Sequence, residues 1–161
     1  MKKCLFLDRD GTINKNYGYV CDYKNFTWLK NSKKAIQLAY KKNYLIIIIS
    51  NQSGVSRGYY TINDCNILNN QINNELKKYN CKIHDFFYAY YHPKFKKKFN
   101  YFDRKPNPGM IYKAQKKWNI DLKKSIYIGD KKCDKDLAIK LKLKFKLKKN
   151  NLLKEVKSLI F

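Results

Sequence analysis

Three short apolar runs, CLFL at 4–7, LIIII at 45–49 and SIYI at 125–128, interrupt a chain that is otherwise polar and rich in lysine. None alternates with period two, so each predicts a strand buried on both faces of a parallel sheet. Between them the apolar positions recur every three or four residues, the spacing of a helix with one buried stripe. Ala35, Ile36, Leu38 and Ala39 form one stripe, with Asn31 or Ser32 placed to cap it. Cys65, Leu68, Ile72 and Leu76 form a longer one behind Thr61. Met110, Ile111, Ala114 and Trp118 follow Pro108, which suits a first helical turn. Leu137, Ala138 and Leu141 follow Cys133, DFFYAYY at 85–91 and LKFKL at 143–147 read as two more strands, and LLKEVKSLIF as a terminal helix. This alternation predicts a three-layer, Rossmann-like α/β domain over residues 1–161, with a mostly parallel central sheet and no large cap domain. Residues 93–107, basic and aromatic, read as a loop over the sheet edge or the site.

At 161 residues the chain is long enough for one core. No apolar stretch approaches the ~18 residues of a membrane helix. The basic start, MKKCLFLD, meets acid after too short an apolar run for a signal peptide. A cytoplasmic protein without a membrane partner is expected. Cys4, Cys21, Cys65, Cys81 and Cys133 are scattered singly, with no C-x-x-C pair. They read as free thiols in a reducing compartment, not as a disulfide framework or a zinc site. The 36 basic and 12 acidic residues leave a net charge of +24, which by itself points to a polyanionic partner. Only Arg9, Arg57 and Arg104 are arginines, however, and in KLKLKFKLKK at 140–149 lysines alternate with apolar residues like the wet face of a strand. The charge therefore reads as solvated surface, and a nucleic-acid-binding protein on an inactive scaffold is the alternative from another class.

Each buried run ends in chemistry. The first is followed by Asp8 and Asp10, the second by Ser50-Asn51-Gln52-Ser53-Gly54, the third by Gly129-Asp130 with Asp134 beyond. Ligands of open parallel sheets bind outside the carboxyl ends of the strands. If these three strands are neighbours, Asp8, Asp10 and Asp130 meet there. Clustered carboxylates repel unless one takes a proton or a cation bridges them. Oxygen donors with no Cys or His nearby suit Mg²⁺. FDRKPNPGM at 102–110 places Arg104 and Lys105 just ahead of a helix, where with Ser50 and loop amides they form a set of phosphate donors. Asp136 is placed to charge the first turn of the following helix, and Asp134 either to do the same or to support the metal. Arg57 either joins the substrate loop or pairs with a surface acid, and His84 reads as structural.

LDRDGT at 7–12, the run from Ser50, the segment around Lys105 and the one around Asp130 resemble, in order, the four motifs of the haloacid dehalogenase superfamily of phosphohydrolases. Within it, FLDRDGTIN (6–14), YGYV (17–20), SNQSGVSRG (50–58) and RKPNPGM (104–110) resemble the D-glycero-D-manno-heptose 1,7-bisphosphate 7-phosphatases over residues 4–142. Histidinol-phosphate phosphatases and other small sugar-phosphate phosphatases of the fold are the alternative. The resemblance implies a phosphoric monoester hydrolase of lipopolysaccharide heptose precursor biosynthesis. Asp8 would be the nucleophile, forming an aspartyl-phosphate, and Asp10 the general acid and base. Mg²⁺ would be held by the Asp8 carboxylate, the Asp10 backbone carbonyl and Asp130. Ser50 and Lys105 would hold the phosphoryl group. Asn16, Tyr17, Gly18, Tyr19, Asn51, Gln52, Ser53, Arg104 and Lys131 match substrate-contacting positions, with Arg104 at the second phosphate. Members of the family carry a zinc site whose positions fall here on Ala89, Tyr91, Tyr101 and Asp103, none of them the expected ligand, and His92 beside them cannot hold the ion alone. Zinc is therefore expected to be absent, with aromatic packing tying that loop down. The expected partner is a small sugar phosphate and the expected assembly a monomer.

Overall fold

The three buried runs and the two further candidate strands lie side by side in one parallel sheet. A computed structural model describes residues 1–95, 99–149 and 151–161 of the protein. Across the sheet the order is β3 (Asp85–Ala89), β2 (Leu45–Asn51), β1 (Cys4–Leu7), β4 (Ile126–Gly129) and β5 (Lys144–Leu147). The central strand β1 pairs through Leu5 with Ile46 on one side and Ile126 on the other. Helices α1 (Ser32–Lys41), α2 (Ile62–Lys77) and α5 (Leu152–Ile160) cover one face, and α3 (Gly109–Trp118) and α4 (Lys132–Lys140) the other.

The missing period-two pattern has a direct cause. Leu5, Leu7, Ile46, Ile48, Ile126 and Ile128 pack under α1, α2 and α5, while their neighbours Cys4, Phe6, Ile47, Ile49 and Tyr127 pack under α3 and α4. Both faces need apolar side chains, each contributing about 1.5–3 kcal/mol when fully buried. Thr61 caps α2 as its position predicts, in a reciprocal box. Its hydroxyl accepts from the Asp64 amide at 3.1 Å, and the Asp64 carboxylate accepts from the Thr61 amide at 2.7 Å. At α1 neither candidate caps through its side chain. Asn31 stands in the left-handed region at φ 65°, which Asn tolerates, and Ser32 is buried within the helix. His84 is structural, its Nδ1 accepting from the Ile46 amide at 3.0 Å.

β3 stops at Ala89, two residues earlier than the sequence suggests, and the chain leaves the sheet edge through Tyr90 and Tyr91. In the loop that follows, the rings of Tyr91 and Tyr101 meet edge to face with centroids 6.1 Å apart, and Asp103 pairs with Lys113. Residues 96–98 of the expected 93–107 loop lie outside the described residues. Among the described residues no helix is long and apolar enough to cross a membrane.

Candidate active site

Because β2, β1 and β4 are adjacent and parallel, their carboxyl ends open on one edge of the sheet, and Asp8, Ser50 and Asp130 emerge there. The Asp8 amide donates to the Ile128 carbonyl at 3.1 Å, which continues the β1–β4 pairing one residue past the strand. One oxygen from each of Asp8, Asp130 and Asp134 lies within 4.8 Å of the other two. The third carboxylate of the cluster is thus Asp134 and not that of Asp10. Burial, and then the facing Asp8 carboxylate, pushes the Asp130 carboxyl up to about 6, against the opposing charge of Lys131.

Lys105 enters this cluster from the loop before α3. Its ammonium stands 2.9 Å from Asp8 Oδ1 and 2.7 Å from Asp134 Oδ1, and donates to the Ile49 carbonyl at 2.9 Å. Burial works against the charge, but the two carboxylates outweigh it and hold the lysine protonated. Asn51, at the end of β2, clamps the Lys105 backbone from both sides. Its Oδ1 accepts from the Lys105 amide at 3.0 Å and its Nδ2 donates to the Lys105 carbonyl at 3.3 Å. Asp134 does two jobs at once. It caps α4 by accepting from the Lys131 amide at 3.0 Å, and it accepts from the Tyr127 hydroxyl at 2.7 Å while facing Lys105. Asp136 falls beyond the first turn of α4, so it does not take the role its spacing suggested.

Asp10 turns the other way because Arg9 holds it. Arg9 is fully buried, and its Nη2 donates to both Asp10 oxygens (3.1 and 3.0 Å), to Gln52 Oε1 (3.1 Å) and to the Val20 carbonyl. Asn14 Nδ2 and Gln52 Nε2 add hydrogen bonds to Asp10 at 2.9 and 2.8 Å. Burial pushes the Asp10 carboxyl up, but the guanidinium and these donors prevail and hold it below the usual carboxylate range. Gln52 also donates to Ser50 Oγ at 3.0 Å and accepts from the Tyr60 hydroxyl at 2.8 Å, so the ends of β1 and β2 share one network. Arg9, Asn14 and Tyr127 were not assigned from the sequence, which left Asp134 between capping the helix and supporting the metal. The sole hint for Arg9 was an arginine in a chain that otherwise uses lysine.

A cavity of about 310 Å³ opens beside Asp10 and brings together Asn16, Gly18, Tyr19, Asn51, Gln52, Ser53 and Lys131. Two of the expected substrate positions stand apart from it. Tyr17 lines a neighbouring cleft, and Arg104 donates through Nη1 to the Tyr91 carbonyl at 3.1 Å. Of the two readings of Arg57, the pairing with an acid is not seen among the described residues, and the contact with Tyr19 puts it beside the expected substrate loop. It lies 2.6 Å from His92 Nε2 and stacks over the rings of Tyr19 and Phe95 instead of pairing with an acid.

Gly11 separates the two halves of the site. Its φ is +90°, and a Cβ there would stand 2.1 Å from Asp130 Oδ2. Gly11→Ala is expected to displace the Asp130 carboxylate and to destabilise the fold by about 1–2 kcal/mol, the cost of a left-handed backbone for an L side chain. Urea unfolding of the two proteins measures the difference.

The sequence profile of the polynucleotide kinase 3 phosphatase family matches residues 3–151. The chain belongs to this family. Among its relatives is the D-glycero-alpha-D-manno-heptose-1,7-bisphosphate 7-phosphatase of Photorhabdus laumondii, 38% identical over 137 residues that cover 82% of this chain and 74% of that protein. The D-glycero-beta-D-manno-heptose-1,7-bisphosphate 7-phosphatase of Helicobacter pylori is 36% identical over 152 residues, covering 94% of this chain and 83% of that protein. The solved structure of a D,D-heptose 1,7-bisphosphate phosphatase from B. bronchiseptica, complexed with magnesium and phosphate, shares the fold at a TM-score of 0.83 and 22% identity, over 97% of this chain and 86% of that one. The architecture is the Rossmann-like one of haloacid dehalogenase hydrolases.

Proposed function

We propose that this phosphatase removes the 7-phosphate of D-glycero-D-manno-heptose 1,7-bisphosphate, in the route to lipopolysaccharide heptose precursors, through an aspartyl-phosphate on Asp8. The observation that carries the reading is the buried Lys105 ammonium, 2.9 Å from Asp8 at the junction of three strand ends, in a chain whose relatives are heptose bisphosphate phosphatases. Asp8 is held with one oxygen against Lys105, which leaves the other for attack on phosphorus. Lys105 and Ser50 would take the oxygens of the transferring phosphoryl group. Asp10 would protonate the leaving sugar oxygen and then take a proton from the water of the second step. Kept as a carboxylate by Arg9, it rests in the form the second step needs and would take up the first proton as the anionic phosphate binds beside it.

The cluster fits a divalent cation. Three carboxylates and one ammonium leave two negative charges, and all the donors are oxygen. Asp134 already accepts from three groups, so Asp8, Asp130 and the Asp10 backbone carbonyl are the donors that would hold Mg²⁺. The ion would supply charge neutralisation between nucleophile and phosphate.

A phosphate-release assay tests both parts. Heptose bisphosphate is expected to be turned over at least about tenfold more efficiently than histidinol phosphate or a 3′-phosphorylated oligonucleotide. EDTA should abolish turnover and Mg²⁺ restore it. Preference for either competitor would reject the substrate, and turnover indifferent to chelation would reject the metal. The +24 charge and the family's name are what bring the oligonucleotide into the panel. Elemental analysis of the purified protein is expected to find no stoichiometric zinc, since Ala89, Tyr91, Tyr101 and Asp103 offer no Cys or His.

A further inference from the structure

Folding brings two of the five scattered cysteines together, away from the carboxylate cluster. Cys21, at the end of the 15–22 loop, has its Sγ 3.3 Å from Sγ of Cys65 near the start of α2. An approach of about 1.2 Å would bring them to the ~2.05 Å of a disulfide. Cys65 is fully buried, whereas Cys21 is half-buried and opens on a cleft of about 850 Å³ between the loop and α2. A small oxidant can therefore reach Cys21 first.

The loop is tied at its base and through Tyr19: the Lys15 amide donates to the Thr27 carbonyl at 2.8 Å, and the Tyr19 ring meets Tyr59 edge to face with centroids 4.8 Å apart, beneath the Arg57 guanidinium. Residues 15–19 are exposed, and the Gly18 amide donates to Asn16 Oδ1 at 3.1 Å within the loop. Its buried anchor beside Cys21 is Val20, whose carbonyl accepts from Arg9. Cys21 follows that anchor directly.

We propose that Cys21 and Cys65 form a reversible oxidation site, at which a peroxide joins them in a disulfide that pins the 15–22 loop to α2. The contact with Cys65 and the charge of Arg9 lower the Cys21 thiol against the effect of burial, while Cys65 is pushed up. Cys21, which faces the cleft while Cys65 is fully buried, is the nucleophilic partner. Its thiolate attacks one oxygen of hydrogen peroxide, the O–O bond breaks, Cys21 becomes a sulfenic acid, and the departing hydroxide takes up the proton the thiol released to leave as water. The Cys65 sulfur then gives up its proton and displaces the sulfenic hydroxyl, which leaves as a second water as the S–S bond forms. Two thiols are oxidised and one peroxide is reduced. In a reducing compartment such a bond is transient, as a switch requires. Asn16 to Tyr19 lie on the pinned loop, so on the function proposed above the crosslink acts on substrate entry.

The test uses the full chain treated with hydrogen peroxide, then unfolded in denaturant, alkylated and digested. The expected product is a Cys21–Cys65 crosslinked peptide, dissolved by dithiothreitol, with slower amide exchange across residues 15–22. Cys21→Ser treated in the same way should leave Cys65 open to alkylation and the exchange unchanged. Both cysteines staying alkylatable, Cys21 running on to the sulfinic acid with Cys65 untouched, or either joining another cysteine would overturn the site. A crosslink without slower exchange would overturn the pinning. None of these readouts needs turnover, so they stand or fall apart from the heptose assay. In that assay oxidation is expected to raise KM with kcat little changed, reversibly, and an unmoved KM would overturn the effect on substrate entry.

Discussion

Asp8→Asn is expected to lower phosphate release by about 10⁴-fold or more, the scale seen when a covalent nucleophile is removed. An amide has the shape of the carboxylate and can still accept from Lys105, but it cannot attack phosphorus. The fold should not suffer. Asp8, Asp130 and Asp134 crowd within 4.8 Å, so removal of one charge relieves repulsion while Lys105 keeps Asp134 as its partner. The melting temperature is therefore expected to hold or rise. Acid-quenched protein incubated with labelled substrate should carry phosphate in the parent and none in the variant. A variant that keeps a tenth of the turnover would remove Asp8 as the nucleophile.

Lys105→Met is expected to damage stability and turnover together. Methionine keeps the unbranched length of the stem but leaves Asp8 and Asp134 face to face, each about 2% exposed or less, with no cation between them. Breaking a buried ion pair from one side costs about 3–5 kcal/mol, because the remaining charge is left desolvated and unpaired. In a domain of this size that is a fall of roughly 10 °C in melting temperature. The double variant Lys105→Met/Asp134→Asn should regain part of the stability, since one stranded carboxylate is gone, and none of the turnover. Guanidinium unfolding and phosphate release on the three proteins separate the two effects. Unchanged stability in the single variant would mean that Lys105 is not held between the two acids.

The strand positions were legible because a strand covered on both faces must be apolar at consecutive residues, as Leu45 to Ile49 are. The helix behind Thr61 was legible because its capping box is written within four residues. The acids at the strand ends were legible for the same local reason: Asp8 and Asp130 stand where an apolar run stops. Where the Asp10 carboxylate points was not legible, because its two-residue spacing from Asp8 puts it at the same edge but says nothing of Arg9, which turns it toward Asn14 and Gln52. Asp134 was half legible. Its spacing after Gly129 marks a cap, and its contact with Lys105 from a loop 29 residues earlier leaves no local trace. The pairing of Cys21 with Cys65 is of the same kind, the two standing 44 positions apart.

By itself the sequence determined the elements, the carboxyl ends at which chemistry could gather, and the family motifs, because periodicity and turn chemistry act over a few residues. The tertiary structure alone decided that β2, β1 and β4 are neighbours, that Lys105 sits between Asp8 and Asp134, and that Arg9 fixes Asp10. These contacts depend on how crossover helices order the strands and on which charges are buried together. Neither is encoded in the spacing of residues along any one segment.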